Sequence, residues 1–566
     1  MRRKRQIAVI LINLLILAVY LGIQVVKVYE ENNASISGTQ VTEKNGEDNI
    51  PFEYSGKVMG IPIVENADFL EGMNKLKTEE NPGICFEDTI VPYSKSGNTL
   101  YLSQDYEKTE WVGKLSVALE DAFLCTLQDA FWNEKRDAIK AGHSFSLWCL
   151  TKDGYYEFDL VISGMPVISM TTQYSKVQKK VPYEIDPDKL YYDSEDLYYG
   201  EFRVFNPGVG TGNYEIVESG VRYHYKGATS KAFSKGSYAL SLRGADQRDL
   251  DVSLLGMRAD NSWKLNALCT DVNAIREKTA AQIWEEFDLA DAALNTPGPR
   301  MEYVELILDD DYRGVYCLVE PVDEKKVGLD DNDALYKMID YTIVEDGDIQ
   351  HSIDKKWKIR SSIRVRYPKD IADYSAAWYP IRDYLNTFYR GQVTENAADK
   401  LYLDNAVDML MYTEVISGSD NYFKNIYFAA DVSPEGTYKM RQLPWDLDYT
   451  FGNMWTLDND NRVYFNPDVT VSYHEKSVPY LAENDAKGIK ELLESRWTTY
   501  RKSFLSTQEI QKKLTDNRDY LINTGAVERQ NARWPQYAIS TDIEYLLEYQ
   551  ADRMQWLDEY IMSFAQ

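Results

Sequence analysis

Two acidic stretches on either side of one expected hairpin constrain this chain more than any other feature. The first is Asp420-Asn421-Tyr422-Phe423-Lys424-Asn425. The second, Asp446-Leu447-Asp448-Tyr449-Thr450-Phe451-Gly452-Asn453, begins twenty-one residues after Asn425. Between them, residues 426–430 and 438–443 read as two strands joined through Pro434-Glu435-Gly436. In this order, Asp420, Asn425 and Asp446 or Asp448 form a set of hard oxygen ligands suited to Mg²⁺ or Mn²⁺. Together the stretches suggest phosphoryl transfer, which asks for positioning and charge neutralisation more than covalent chemistry.

At 566 residues, two or three domains are expected. Aromatic residues make up 13%, 43 of them Tyr, enough for large buried surfaces. A net charge of -28 argues against nucleic acid as a partner and against broad docking on an anionic membrane surface. The N-terminus is the exception: Arg2, Arg3, Lys4 and Arg5 precede an apolar run over 7–26. As a helix, that run would span roughly 30 Å, the thickness of a bilayer core. The basic cluster would stay in the cytoplasm, so the expected location is a single-pass cell-membrane protein with the rest outside. A cleaved signal peptide is the rival reading; its shorter apolar region and Ala-x-Ala-like site are missing, which favours the anchor. None of the five Cys has CxxC spacing, so no zinc site is implied. One pair among Cys85, Cys125 and Cys149 could be oxidised outside the cell. Four His, none at ligand spacing, speak against histidine metal or triad chemistry.

The expected fold class is α+β, with an anchor over 1–29, a flexible linker over 30–51, a small α/β accessory domain over 52–190 and a second domain over 191–566. Apolar spacing predicts a helix over 112–134, with Leu115, Leu119, Phe123, Leu127 and Phe131 on one face. Residues 144–151 and 155–162 read as strands, and 181–197, rich in Asp, Tyr and Pro, as a linker. The second domain opens with strands over 220–226 and 236–243. A helix follows over 271–288, with Asp271 as N-cap and Val272, Ile275, Thr279, Ile283 and Phe287 on one face. Strands over 303–308 and 314–320 form a hairpin, and the chain from 371 onward is mostly helical. Strands, one helix and two more strands are the layout of a kinase-type small lobe.

At these positions the sequence resembles the CotH kinase family, named for a spore-coat protein, whose members are atypical protein kinases with a divergent two-lobed kinase fold. The resemblance covers residues 198–566. Lys226-Gly227-Ala228-Thr229-Ser230 is similar to the family's Arg-Gly-x-x-Ser, and Lys235-Gly236-Ser237-Tyr238 to its Lys-x-Ser-Tyr strand. Further similarities are Asn273-Ala274-Ile275-Arg276-Glu277-Lys278, the strand ending in Glu320, and the two acidic stretches. The resemblance implies ATP with Mg²⁺ or Mn²⁺ as cofactors. It implies Asp420 as the catalytic Asp, Asn425 as a metal ligand, and Asp446 as the second, with Asp448 as alternative or further ligand. For the phosphate-binding cation, Lys235 starts the strand where a kinase lysine is expected. Ala239 stands where a basic residue is expected, and Arg243, on the same strand face, is a substitute. Arg276 is a candidate to pair with an acid in the cleft, and Glu320 to shape the hinge beside adenine. No GxGxxG is present; Pro207-Gly208-Val209-Gly210-Thr211-Gly212 is read more simply as an ordinary turn than as a phosphate loop.

The expectation is therefore a membrane-anchored atypical kinase that moves the ATP γ-phosphoryl to Ser or Thr of a surface or coat protein. ATP is scarce outside the cytoplasm, so an extracellular pseudokinase or adhesin-like binding module is the alternative. A Ca²⁺-dependent surface protein using Asp446, Asp448, Asp458 and Asp460 is a third option, although that loop does not fit an EF-hand.

Overall fold

The computed structural model describes Tyr54 and residues 56–565 except 104–112, 128–141, 180–182, 187–188, 192–193, 209–212, 228–232, 340–358, 361–362, 370, 372–373, 391–395, 422–423, 455–464 and 473–474. Two units divide the chain, Met1–Glu53 and Tyr54–Gln566. The first, with the span expected over 7–26 and the linker over 30–51, lies outside the described residues. Among the described residues no helix is long and apolar enough to cross a membrane.

The second unit has a mixed α+β architecture. It opens with β1 (Gly56–Val58), β2 (Ile61–Val64), β3 (Ile84–Phe86), β4 (Thr89–Ile90), β5 (Tyr93–Ser94), β6 (Thr99–Ser103), β7 (Leu115–Val117), β8 (Phe123–Leu127), β9 (Ser144–Thr151) and β10 (Gly154–Ser163). Seven of these make one sheet in the order β1-β2-β8-β9-β10-β6-β5, and β4-β3-β7 make a second. Ile61, Phe86, Leu100, Leu147 and Phe158 form the core of this part. The helix expected over 112–134 is corrected here: its described part is β7 and β8. Asp121 has φ +57 and breaks any helix, and β8 pairs in parallel with β2 and antiparallel with β9. The i, i+4 apolar spacing was local coincidence, and sheet pairing overrode it. All five cysteines are free thiols. Burial pushes Cys125 up to about 12 and Cys149 up to about 11.

A closed barrel follows, built from β11 (Val167–Lys179), β14 (Ser194–Gly208), β15 (Asn213–Lys226), β16 (Ser237–Arg243), β17 (Ser262–Asn266), β18 (Arg300–Leu308) and β19 (Asp311–Glu320). Its order is β11-β14-β15-β16-β17-β19-β18, closed by parallel pairing of β11 with β18. Thus β11, which precedes the boundary expected near residue 191, pairs with strands that follow it. The segment expected as a linker over 181–197 carries the pair β12 (Tyr183–Asp186) and β13 (Lys189–Tyr191) and the start of β14. Strand alternation sorts the barrel's side chains. Tyr238, Leu240, Leu242 and Leu265 are buried in its core with Val221, Leu306 and Leu318. The other face of β16 and β17 carries Ser237, Ala239, Lys264 and Asn266. In register, Ala239 stands opposite both His224 and Lys264.

Helix α1 (Arg276–Ala290) connects β17 to β18 and starts five residues later than expected: Thr279, Ile283 and Phe287 are buried on it as their spacing predicts, Ile275 is buried just before its first residue, and Val272 lies upstream and half-buried. Asp271 caps it from upstream, its Oδ2 accepting from Ile275 N and Arg276 N at 2.7 Å each. The β18–β19 hairpin turns through Asp309 and Asp310, both at positive φ, a conformation Asp tolerates better than most residues.

The remainder combines helices with a second sheet. Helices α2 (Glu324–Val327), α3 (Ser375–Tyr389), α4 (Leu403–Val415), α5 (Ser477–Glu483), α6 (Ile489–Arg501), α7 (Thr507–Asn523), α8 (Ala526–Arg533) and α9 (Glu544–Ala565) occur in chain order. The sheet runs β21 (Ile359–Arg360), β22 (Ile363–Tyr367), β20 (Ala334–Met338), β23 (Ile426–Val432) and β24 (Tyr438–Pro444). The expected hairpin is β23–β24. One core joins α1 to this part through Trp284, Phe287, Tyr412, Leu447 and Leu557. At the end of α4, Glu414 pairs with Arg553 of α9 with both side chains fully buried. That pair fixes the point from which the chain leaves for Asp420.

Candidate active site

Backbone hydrogen bonds stitch the two acidic stretches together. Trp445 N donates to Asn425 O at 3.0 Å, and Phe451 N donates to Ile416 O at 2.5 Å. Asn421, fully buried between them, donates from Nδ2 to Trp445 O at 2.7 Å. Asn425 has φ +52 and Asp446 has φ +58. Few residue types other than Gly accept that left-handed conformation as readily as Asn and Asp. Both residue types therefore suit the turns they occupy. Asn425 Nδ2 donates to Asp420 Oδ2 at 3.0 Å, and Lys424 Nζ reaches the same carboxylate at 2.7 Å. Asp420 and Asn425 are thus held side by side, and Asn425 is joined through its own carbonyl to the residue before Asp446.

Lys226 and Asn266 of the barrel, Thr270 after β17 and Glu277 of α1 line a narrow cleft with Asp446 and Asp448. Thr270 Oγ1 donates to Asp448 Oδ2 at 3.0 Å, and Asn266 Nδ2 donates to Glu277 Oε1 at 2.7 Å. Burial, then Asp446 and Glu277, push the Asp448 carboxyl well above the usual carboxylate range. Burial pushes Glu277 up to about 7, opposed by the Lys226 ammonium. Carboxylates crowded this way favour either a shared proton or a cation.

A divalent ion fits the donor set. Asn425 uses its Nδ2 on Asp420, so its side-chain carbonyl oxygen would be the donor it offers, together with the carboxylates of Asp446 and Asp448. Among the described residues no three His, Cys, Asp or Glu side chains gather into a metal cage. Mg²⁺ needs none: it takes one or two carboxylates together with substrate phosphates and water. Asp458 and Asp460, the further ligands of the calcium option, lie outside the described residues.

The four residues expected to contact nucleotide are each engaged by partners within the protein. Lys235 is 3% exposed, and its Nζ donates to Ala267 O at 2.9 Å and to Val315 O at 2.6 Å, 4.7 Å from the Tyr316 ring. It borders the cleft, but its ammonium ties β19 to the end of β17. Arg243 lies at the far end of β16 from Ser237 and pairs with Asp249 at 2.5 Å. Sharing a strand face with Ala239 did not bring it to the cleft, because four residues of strand separate them by roughly 13 Å. Arg276 is fully buried beneath the start of α1, bonded to Asp271, Asn273 and Tyr545. Glu320 is 1% exposed and pairs with Arg258 at 3.1 Å and Lys326 at 3.2 Å. Both are structural ion pairs outside the cleft. The glycine cluster 207–212 joins β14 to β15 at the end of β15 opposite Lys226. Its middle, 209–212, lies outside the described residues.

The sequence reading missed Lys226, Lys264 and Glu277. Glu277 follows Arg276 in a motif singled out for Arg276, and the helix start points the second of the pair into the cleft. Lys264 carried a weak signal, a lysine on the outward phase of Ser262-Trp263-Lys264-Leu265-Asn266. Burial and the cations Lys226, Lys337 and Arg366 hold its pKa well below that of an ordinary lysine.

A family model described as CotH kinase protein matches residues 223–557, more than half of the chain. No match was found among curated proteins.

Proposed function

The chain belongs to the CotH kinase family, and from that premise we propose that it is an atypical protein kinase. Membership implies use of a nucleotide and a divalent metal in general terms. The proposed reaction is transfer of the ATP γ-phosphoryl to a Ser or Thr hydroxyl of a surface or coat protein. The observation that carries this reading is the adjacency of the Asp420–Asn425 pair to the Asp446–Asp448 stretch, whose two acids line the cleft. In the proposed two-lobed arrangement the barrel with α1 is the small lobe, and the helical part with β20–β24 is the large one. The segment over 7–26 would anchor the protein in the cell membrane, with residues 52–190 as an accessory domain outside.

Asp420 is the residue to orient the acceptor hydroxyl and take its proton. Lys424 and Asn425 hold its carboxylate in one orientation. Asn425, Asp446 and Asp448 would hold Mg²⁺ or Mn²⁺, which when bound would neutralise phosphate charge. Lys226 adds a cation from the barrel side, and Glu277 faces it. Cations and acids meeting in one cleft suit a polyanion bridged to a metal.

Ala239, at a position expected to be basic, favours a second reading: a binding module that holds nucleotide or partner without transfer. Thermal melting with Mn²⁺ and ATP tests nucleotide use. ATP at about 100 times its Kd would stabilise the folded protein by ~2.7 kcal/mol. Asp446→Asn keeps a residue that tolerates φ +58 and is expected to abolish the shift. Transfer of label from γ-labelled ATP, lost in Asp420→Asn while the melting shift persists, separates the kinase from the binder. Absence of any shift at millimolar ATP counts against both uses of nucleotide.

A further inference from the structure

The cleft and its margin hold cations as well as acids. Beside Asp446, the Trp445 ring carries two ammonium groups from opposite walls. Lys264 Nζ of β17 lies 3.5 Å from the ring centroid, and Lys337 Nζ of β20 lies 5.5 Å from it. Tyr427, opposite Lys337 on β23, packs edge-on against Trp445 at 5.7 Å and holds the indole in place. Both lysines are part-buried, and among the described residues neither is held in an ion pair. Arg366 and Lys226 act on Lys264 as like charges, and Asp446 is the acid that opposes them. Burial lowers the Lys337 pKa, Asp446 opposes that, and Arg366 of β22 adds to the lowering as a like charge.

Part-buried cations from separate elements do not gather without a counter-charge unless something else supplies it. The indole face satisfies part of each ammonium through its negative quadrupole, leaving N–H donors directed away from the ring. Lysine is a point-charge ligand for phosphate oxygens. The two ring distances put both nitrogens within the span of one di- or triphosphate. Asp446 links this group to the acids Asp448 and Glu277, so a chain of phosphates could touch the metal ligands at one end and the lysines at the other. Lys264 also stands directly across from Ala239. The missing basic group of β16 is thereby supplied by β17.

We propose that Lys264 and Lys337, set over Trp445, form a phosphate subsite for the distal phosphoryl groups of a polyphosphate. The ligand is the tail of a nucleoside triphosphate or inorganic tripolyphosphate. The nucleotide version rests on the kinase reading; the phosphate chemistry does not.

Isothermal titration of the full chain with AMP, ATP and inorganic tripolyphosphate, with Mn²⁺ present, tests it. Lys264→Ala and Lys337→Ala are each expected to weaken ATP at least about tenfold and to leave AMP within about twofold. Loss of tripolyphosphate binding in parallel assigns the subsite to polyphosphate in general. Loss for ATP, with no tripolyphosphate binding to the wild type, assigns it to the nucleotide tail. The paired change Ala239→Lys with Lys264→Ala should recover most of the ATP affinity, because directly opposed Cβ atoms lie only about 5 Å apart. Circular dichroism melting identical to wild type confirms that the variants fold. Equal weakening of AMP and ATP, or no weakening of either, overturns the proposal. If Lys264 and Lys337 govern polyphosphate binding but γ-label never transfers, the subsite stands and the kinase reading falls. If transfer persists while both single variants bind like wild type, the subsite falls and the kinase reading stands.

Discussion

Replacing Lys235 with Met would separate a structural cation from a phosphate ligand. Met fills a similar volume but leaves Ala267 O and Val315 O without the ammonium that bonds them at 2.9 and 2.6 Å. Hydrogen bonds to a charged group contribute about 1.5–3 kcal/mol each, against the desolvation of the ammonium. A net loss of about 3 kcal/mol at neutral pH is expected, measured by urea unfolding. The pH dependence provides a sharper check. Burial lowers Lys235 to about 8 in the folded protein, and an unfolded lysine titrates near ~10.4. Between these values the unfolded chain binds more protons than the folded one, so the contribution of Lys235 to stability rises with pH. The stability gap between wild type and Lys235→Met should widen by about 2 kcal/mol from pH 7 to pH 9.5. Affinity for ATP should stay within about twofold of wild type. A gap that is flat or narrows over this range refutes the burial argument. A large loss of ATP affinity with unchanged stability would show that Lys235 leaves its carbonyl partners to hold phosphate.

Three further changes distinguish structure from site. Glu320→Gln strips the carboxylate that faces Arg258 and Lys326; a loss of about 3 kcal/mol in denaturant unfolding is expected, with unaltered nucleotide affinity, and an affinity defect at full stability would restore its hinge role. Arg243→Ala removes a pair whose Asp249 is 60% exposed; stability should change by no more than about 1 kcal/mol, and any weakening of ATP binding would contradict its placement far from the cleft. Glu277 titrates at about 7 when folded against about 4.3 unfolded, so its contribution to stability falls as pH rises through that window. Metal-free Glu277→Gln, melted in chelator, should therefore exceed wild type by about 3 kcal/mol at pH 8 and match it near pH 4.5; the opposite sign at pH 8 would mean Lys226 outweighs burial.

What the sequence disclosed and what it concealed divide along the distance over which each residue finds its partners. The β23–β24 hairpin, the buried face of α1 and the pair Asp420/Asn425 depend on neighbours a few residues away, and periodicity or spacing reports such neighbours directly. Arg276 is different. Its position in a motif matched a cleft residue, yet Tyr545, which receives one of its guanidinium hydrogen bonds, is 269 residues downstream. Glu320 likewise meets Arg258 62 residues upstream. A charged side chain at the end of a strand looks the same in sequence whether it faces a ligand or a buried ion pair. The helix expected over 112–134 failed for a related reason: Leu115 and Phe123 recur at helical spacing, but the strands that claim them, β3 and β9, lie outside the window.

Lys264 makes the argument most clearly. Reading along β16, the absence of a basic residue at Ala239 looks like a lost function, and the natural repair is to search the same strand face, which leads to Arg243. A sheet offers a second direction. Ala239 and Lys264 are register partners, so a long side chain on either one sweeps nearly the same space above the cleft. The chemistry selects a volume to be charged, not a sequence position. A cation can therefore move to the adjacent strand without loss of the site, and only the register, which no single stretch of sequence contains, reveals that it has done so.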